Sequence, residues 1–193
     1  RHAAGTIKRL LPHLESYFEG ANSGILSSKS RDELLILIKE IAKTWVAGDG
    51  LWFQAIEEQQ GMAVAKKVND SCWSLFARLE SYKTLGFLGI KEKGGLDTLD
   101  KAIRLRIYSS INSHSSQWDS EGNLLFQMLE CRVQNARRRK GMADYPCKSA
   151  GIIEYSEFAF GINPDIVTEC VCCPPDEVPN GQFCAWKFSL KQA

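Results

Sequence analysis

A change of pattern near residue 112 constrains the fold of this chain more than any other feature. Before it, apolar residues recur at three- and four-residue spacing, which predicts helices. After it, a turn sequence at residues 120–123 separates two short apolar runs, which is a hairpin signal. Residues 166–173 and 183–190 form a second such pair, with prolines and a glycine between them. We therefore predict an α+β protein, in which an N-terminal helical layer is followed by a C-terminal antiparallel sheet of the form hairpin, helix, hairpin.

The predicted helices have identifiable start and stop signals. One is predicted over residues 4–19, followed by a loop at 21–28. Ser30 and Glu33 form a capping-box pattern, so we expect a well-buried helix to begin there. It should break at Gly48-Asp49-Gly50, where Asp49 caps a second helix that ends near Gly61.

Further helices are predicted downstream. They cover residues 61–82, 96–111 and 147–160, with a connector at 85–95. The helix over 61–82 should bury one apolar face. That face comprises Val64, Val68, Cys72, Leu75, Phe76 and Leu79. We expect residues 1–112 to form a helical region and residues 113–193 a cysteine-rich α+β region, packed together as one domain.

Composition limits the classes of partner. Of the 193 residues, 44% are hydrophobic, which is enough for a core, and the formal net charge is only +1. This balance gives no bulk field to attract nucleic acid or an anionic membrane. No apolar run reaches the roughly 18 residues of a membrane helix. We expect a small-molecule ligand as partner, leave a homo-oligomer open, and expect further residues before Arg1 because the sequence does not begin with Met.

Six of the seven cysteines lie between Glu130 and Trp186. Disulfides, a metal or a reactive thiol would explain this crowding. The odd count and the adjacent Cys172 and Cys173 suit a disulfide framework poorly, so we expect a reducing cytoplasm with free or metal-bound thiols.

Four cysteines stand at the ends of predicted elements. They are Cys131, Cys147, Cys173 and Cys184. Cys147 opens a helix, where the dipole and free N–H groups favour a thiolate. The four could ligate zinc or another thiolate-bound metal, hold a cluster, provide a nucleophile with assisting groups, or be small buried core residues. Strand alternation puts Cys170 and Cys172 on one face and Cys173 on the other.

Two other stretches are candidates for chemistry. Helical spacing places Asp49, Trp52, Phe53 and Glu57 within two turns on roughly one side, where they could line a pocket. The alternative is a helix cap, a core aromatic residue and a solvated carboxylate. The basic run at residues 137–140 could bind phosphate or nucleic acid, but its acidic neighbours favour a solvated turn.

Several segments taken together resemble a family of small, largely uncharacterised prokaryotic cytosolic proteins. They are residues 49–57 (DGLWFQAIE), 130–137 (ECRVQNAR), 145–149 (YPCKS), 173–176 (CPPD) and 184–188 (CAWKF). The chain resembles more loosely the 2-aminothiazoline-carboxylate hydrolase-like proteins, and its order of elements is similar to vinyl-reductase-like ligand-binding domains. The looser resemblances imply hydrolysis of a C–N or C–S bond, or binding of a small ligand or metal. The matching positions imply that Asp49 and Glu57 face the cysteines.

We hypothesise a pocket between the helical layer and the C-terminal hairpin. Its expected metal ligands or lining thiols are Cys131, Cys147, Cys173 and Cys184; its expected catalytic groups are Cys147, Glu57 and Asp49; its expected ligand-binding groups are Trp52, Gln134, Arg137 and Trp186. If the protein is an enzyme, we expect hydrolysis of a small C–N or C–S compound, with water activated by a thiolate-bound metal or by Glu57. The alternatives are a non-enzymatic metal- or small-ligand-binding sensor or carrier, and a purely structural or interaction protein.

Overall fold

The computed structural model describes residues 24–191. The helix predicted over residues 4–19 lies outside this range. By its internal contacts the chain divides into two compact units between Ile41 and Ala42. The second unit contains the core, the sheet and the cavity described below.

The sequence predicted the start of the first long helix correctly, but not its length. A single turn, α1 (Gly24–Ser27), replaces part of the predicted loop. α2 (Arg31–Gln60) begins at the predicted capping box, because the Glu33 N–H donates to Ser30 Oγ over 3.2 Å and the Ser30 N–H donates to Glu33 Oε2 over 2.8 Å. α2 then continues through Gly48 and Gly50. Two glycines cost a helix only about 1 kcal/mol each, so the predicted break and the predicted Asp49 cap are both wrong.

The expected burial of α2 is also wrong. Its aliphatic residues between 35 and 41 are 38–61% exposed, and only Ala42 and Val46 are buried. The reason is their position along the helix. The residues of α2 that pack on the core lie C-terminal to this run of aliphatic residues. In the described part of the chain, no helix combines the length and the apolar character that crossing a membrane requires.

Glycines with positive φ bound α3 (Met62–Leu88) at both ends. Gly61 has φ 81° and Gly89 has φ 69°, which confirms the predicted helix boundary near Gly61. The predicted buried face is wrong for Val64, Val68 and Leu75, which are 38–42% exposed, whereas Phe76 packs against the core. The buried positions are Ala65, Trp73, Ala77, Ser81 and Thr84. They are mostly small, and small residues let another helix approach closely.

The last helical segment before the sheet is interrupted once. α4 (Leu96–Leu105) is followed by a short 3-10 helix (Ile107–Ser110), so the helix predicted over 96–111 is confirmed over its first ten residues and ends at Arg106. Arg106 has an extended backbone, with φ −61° and ψ 150°. This change of direction turns its side chain to the core.

The C-terminal part confirms the α+β prediction. Two hairpins form one antiparallel sheet in the order β1-β2-β4-β3, so that one strand from each hairpin lies at the centre. The elements are β1 (Ser113–Trp118), β2 (Leu124–Glu130), α5 (Arg132–Arg139), α6 (Lys148–Ile162), β3 (Ile166–Cys172) and β4 (Cys184–Leu190). Gly122, with φ 78°, lies in the predicted turn between β1 and β2.

α6 packs on the sheet and on α3. On its sheet side, Tyr155 stacks on Trp186 with ring centres 4.6 Å apart, and a Cβ at Gly151 would lie 2.6 Å from the Trp186 ring. On its other side Gly161 faces Ser81 of α3. Neither contact leaves room for a Cβ atom, which explains why residues 151 and 161 of this helix are glycines.

Arg106 is a buried cation within the aromatic core. It is 3% exposed, its Nε donates to Glu80 Oε2 over 2.9 Å, and its Nη1 lies 2.7 Å from Glu154 Oε1. Four aromatic rings surround it, with their centres 4.8–5.8 Å from the guanidinium carbon. Burial works against the charged form, but the two carboxylates outweigh it and hold the pKa of Arg106 above its usual value.

Candidate functional site

A cavity of about 400 Å³ lies among α2, α5, α6 and the sheet. Its volume is in the range of small-ligand sites. Thiols, aromatic rings, a carboxyl group and basic side chains all contribute to its wall. All of these residues belong to the second unit.

The structure brings four cysteines together on this cavity. Cys131 precedes α5, Cys147 precedes α6, Cys173 follows β3 and Cys184 begins β4. Each therefore stands at the end of an element, and the elements meet at the cavity. The metal-binding and catalytic roles expected for these thiols stay predictions.

Three of these thiols influence one another's protonation. The neighbouring Cys147 and Cys184, together with burial, raise the pKa of Cys173. The neighbouring Cys173 lowers the pKa of Cys184, whose sulfur accepts from Trp186 Nε1 over 3.4 Å. Burial raises the pKa of Cys131 to about 12. Cys131 and Cys173 therefore stay protonated at neutral pH.

Gln134 fixes the position of Cys147. Its side chain is 1% exposed, and its Nε2 donates to Cys147 Sγ over 3.0 Å and to the Tyr145 carbonyl over 2.8 Å. Its Oε1 accepts from the Tyr145 N–H over 2.8 Å. Gln134 does not itself line the cavity. It positions the thiol of Cys147, and its expected contact with a ligand stays a prediction.

Asp49 lies in the middle of α2 and lines the cavity. Burial raises the pKa of its carboxyl group. Within residues 24–191 it has no ion pair and no hydrogen bond from a side chain. A carboxyl group in this setting is available for proton transfer to a bound molecule.

Glu57 lies behind the cavity wall. Its carboxylate pairs with Arg137 at 3.2 Å and 3.5 Å, and Arg137 Nε also donates to the Ala143 carbonyl over 2.7 Å. Arg137 lines the cavity and is 6% exposed, so the solvated turn expected at 137–140 is wrong for Arg137, whereas residues 138–140 are exposed where the helix ends. Glu57 does not line the cavity. Its pairing with Arg137 argues against its expected role as a general base.

Trp52 does not form the expected apolar wall. It is 76% exposed and does not line the cavity. Since successive helical residues point about 100° apart, the uninterrupted α2 turns Phe53 inward in its place. The aromatic wall consists of Phe53, Trp73, Tyr108, Tyr145, Tyr155 and Trp186.

A register shift corrects the predicted orientation of the remaining cysteines. Cys170 lies opposite Trp186, whereas Cys172 lies opposite the adjacent residue Ala185. The extra residue, Val171, forms a bulge, so Cys170 and Cys172 do not share a face. Neither of them lines the cavity.

The sequence reasoning missed several lining residues. Tyr108, Tyr155 and Glu154 line the inner part, and Arg132 lines the outer part. Their residue types are ordinary on helices, and no local signal marked them. Lys140 and Arg139 lay in the basic run, but nothing in its sequence showed that it borders a cavity.

A model of a protein family of unknown function, DUF6125, matches residues 27–190. The chain belongs to this family. No curated protein and no solved structure matches the chain. The expected resemblance of this DUF6125 member to an uncharacterised family is therefore confirmed, whereas the relationships to hydrolase-like and vinyl-reductase-like proteins stay predictions.

Within the described residues, the side chains of this DUF6125 member are not arranged as a metal site. Across residues 24–191, no group of three or more His, Cys, Asp or Glu side chains has an arrangement that could hold a metal ion. The donor chemistry does suit zinc, which binds Cys thiolates. A metal at the four thiols would therefore require them to move.

Proposed function

We propose that this DUF6125 member binds a small, largely apolar molecule in the cavity and hydrolyses a C–N or C–S bond in it. One observation carries the proposal: a positioned thiol, Cys147, and a partnerless carboxyl group, Asp49, line the same apolar cavity. In this mechanism Cys147 is the nucleophile, and Asp49 takes the acid-base role first expected of Glu57.

The proposed reaction has two steps. The Cys147 thiol, which donates to the Tyr145 carbonyl over 3.2 Å, gives its proton to the Asp49 carboxylate as its sulfur attacks the electrophilic carbon. The C–N or C–S bond breaks, and the leaving nitrogen or sulfur receives that proton from Asp49. Water then attacks the resulting thioester or thioimidate and gives a proton to the Asp49 carboxylate. The carbon–sulfur bond to Cys147 breaks, and Asp49 returns the proton to the Cys147 sulfur. The amide N–H of Gln134 stabilises the thiolate in both steps.

Turnover of a panel of lactams, thiazolines, amidines and thioesters, followed by mass spectrometry, tests this function. We expect Cys147→Ser and Asp49→Asn each to lower turnover by about 100-fold or more. Cys170→Ser, outside the cavity, is the control and should retain activity. A covalent adduct on the Cys147 peptide is also expected. Full activity in Cys147→Ser, or no turnover across the panel, would contradict the proposal.

Asp49→Asn should also stabilise the fold, in a pH-dependent way. Because burial raises the folded-state pKa of Asp49, the wild type loses stability as pH rises from the ordinary Asp pKa through the folded one. Asn avoids this loss. At neutral pH we expect a gain of about 1 kcal/mol, a common size for relieving a destabilised site residue, and the gain should vanish at acidic pH. Urea unfolding at several pH values measures it; a gain that does not change with pH would contradict the assignment.

The convergence of four thiols favours a second candidate, a non-enzymatic metal- or ligand-binding sensor or carrier. Cys131, Cys147, Cys173 and Cys184 would hold the metal, and a closed four-thiolate site would be structural. Protein purified without chelator should then contain about one zinc per chain, and Cys173→Ser should lose it. Metal-free protein with one rapidly alkylated thiol would favour the hydrolase instead.

A further inference from the structure

We propose that the molecule bound in the cavity carries an oxyanionic group, a carboxylate or a phosphate, held at the cavity mouth by Arg132, Arg139 and Lys140. This inference rests on the proposed function, since it names the chemical class of its ligand. The three side chains line the cavity, and all three residues are exposed, which places them at its solvent side.

Whether a basic side chain of α5 or of its C-cap residue has an acidic partner depends on where it lies relative to the cavity. Arg138 does not line the cavity, and it pairs with Asp144 at 2.6 Å and 2.9 Å. Arg137 reaches behind the wall to Glu57.

The three mouth residues lack such partners. In the described part of the chain, Arg132, Arg139 and Lys140 have no acidic partner, and Lys140 Nζ donates only to the neutral Gln54 Oε1 over 3.2 Å. Of the four basic side chains that line the cavity, Arg137 is paired with Glu57, so Arg132, Arg139 and Lys140 are the ones whose charge is left for a ligand.

The inner end of the cavity has the opposite character. Tyr155, Trp186 and Cys173 are nearly fully buried there, and the nearby Glu154 is engaged by Arg106. A bound molecule with its charge at the mouth would place its apolar body along these rings and among the thiols. The mouth cations therefore give the ligand an orientation as well as affinity.

A matched pair of alkylating reagents tests the inference. Iodoacetate and iodoacetamide are nearly the same size and differ in charge. We would measure the alkylation rates of Cys147 and Cys184 by peptide-resolved mass spectrometry. The exposed Cys72, which lies outside the cavity, is the internal reference.

We expect the iodoacetate-to-iodoacetamide rate ratio at the cavity thiols to exceed that at Cys72 by about tenfold, the low end of electrostatic steering. The excess should disappear in the triple variant Arg132→Gln, Arg139→Gln, Lys140→Gln and should shrink in high salt. Arg138→Gln, which removes a cation of the same helix that is outside the cavity, should leave it unchanged.

The outcomes separate this inference from the proposed function. If the iodoacetate-to-iodoacetamide rate ratio is the same at the cavity thiols and at Cys72, or if its excess at the cavity thiols persists in the triple variant, the inference of an anionic ligand is wrong. The proposed hydrolase function is not affected by that result. If neither reagent alkylates Cys147 while Cys72 reacts, the thiol is closed to small molecules and the proposed function falls with the inference. Stronger protection of Cys147 by phenylacetate than by phenylacetamide would identify a carboxylate, and protection by phenyl phosphate alone would identify a phosphate.

Discussion

Replacing Arg106 with Met is expected to lower the free energy of unfolding by about 3–5 kcal/mol, the cost of leaving buried charges without their partner. Glu80 and Glu154 would remain in the core, with side chains only 12% and 16% exposed. The surrounding rings cannot replace the lost ion pairs. Urea unfolding followed by tryptophan fluorescence measures the change.

Arg104→Met provides the matched control for this substitution. Arg104 lies in the last turn of α4, two residues before Arg106, but its pair with Asp100 is at the surface, with the Arg104 side chain 51% exposed. An exposed pair of this kind contributes only about 0.3–0.5 kcal/mol. Equal effects of the two substitutions would show that Arg106 does not hold the core together.

The loss in the free energy of unfolding caused by Arg106→Met should depend on pH. Burial raises the pKa of Glu154, and Arg106 opposes that effect, so the substitution raises the pKa further. The folded variant then holds a proton that the unfolded chain releases, and its stability falls as pH rises from the ordinary Glu pKa through the folded one. We therefore expect the deficit to be smallest at acidic pH. A deficit that grows on acidification would contradict this account.

Gly161→Ala is expected to destabilise the protein by about 1–3 kcal/mol, the usual cost of overpacking. The new Cβ would overlap Ser81 Oγ and would lie 2.9 Å from Ser81 Cβ. Ser81 is fully buried and its hydroxyl donates to the Arg78 carbonyl over 2.8 Å, so the clash can be relieved only by moving α3 and α6 apart. Thermal unfolding measures the loss.

Gly86→Ala separates this clash from the general effect of glycine in a helix. Nothing lies within 4 Å of a Cβ built at Gly86. Alanine there should raise stability by about 0.5–1 kcal/mol through helix propensity. A stabilising Gly161→Ala would show that the two helices are less closely packed than described.

The elements that the sequence predicted well are those set by neighbouring residues. The Ser30–Glu33 capping box, the helix boundary at Gly61 and the turn before Asn123 each depend on a few consecutive positions. The thiols at the ends of elements followed from these boundaries. Local chemistry therefore gave the α+β class and the positions of the four cysteines in the chain.

Residues far apart in the sequence decided the features that were predicted wrongly. Glu57 is paired with Arg137, and no spacing rule links two such distant positions. The buried face of α3 is set by the close approach of α6 at Gly161, so that Ser81 is buried whereas Val64, Val68 and Leu75 are exposed. The bulge at Val171 is visible only once β3 is paired with β4. In each case the tertiary partner decided the outcome, and a single sequence does not show it.

The central position of β2 and β4 in the sheet bears on how the cavity responds to its ligand. Leu124 lies opposite Phe188, so the middle of the sheet forms only when distant segments of the chain have met. Such non-local pairing makes folding slow, since a long loop must close before its contacts form. Cys131 follows β2 and Cys184 begins β4, so these two cavity thiols come together only when the two strands have paired. The cavity therefore exists only in the fully folded unit. A ligand should therefore slow hydrogen exchange across both hairpins together and not in one loop alone.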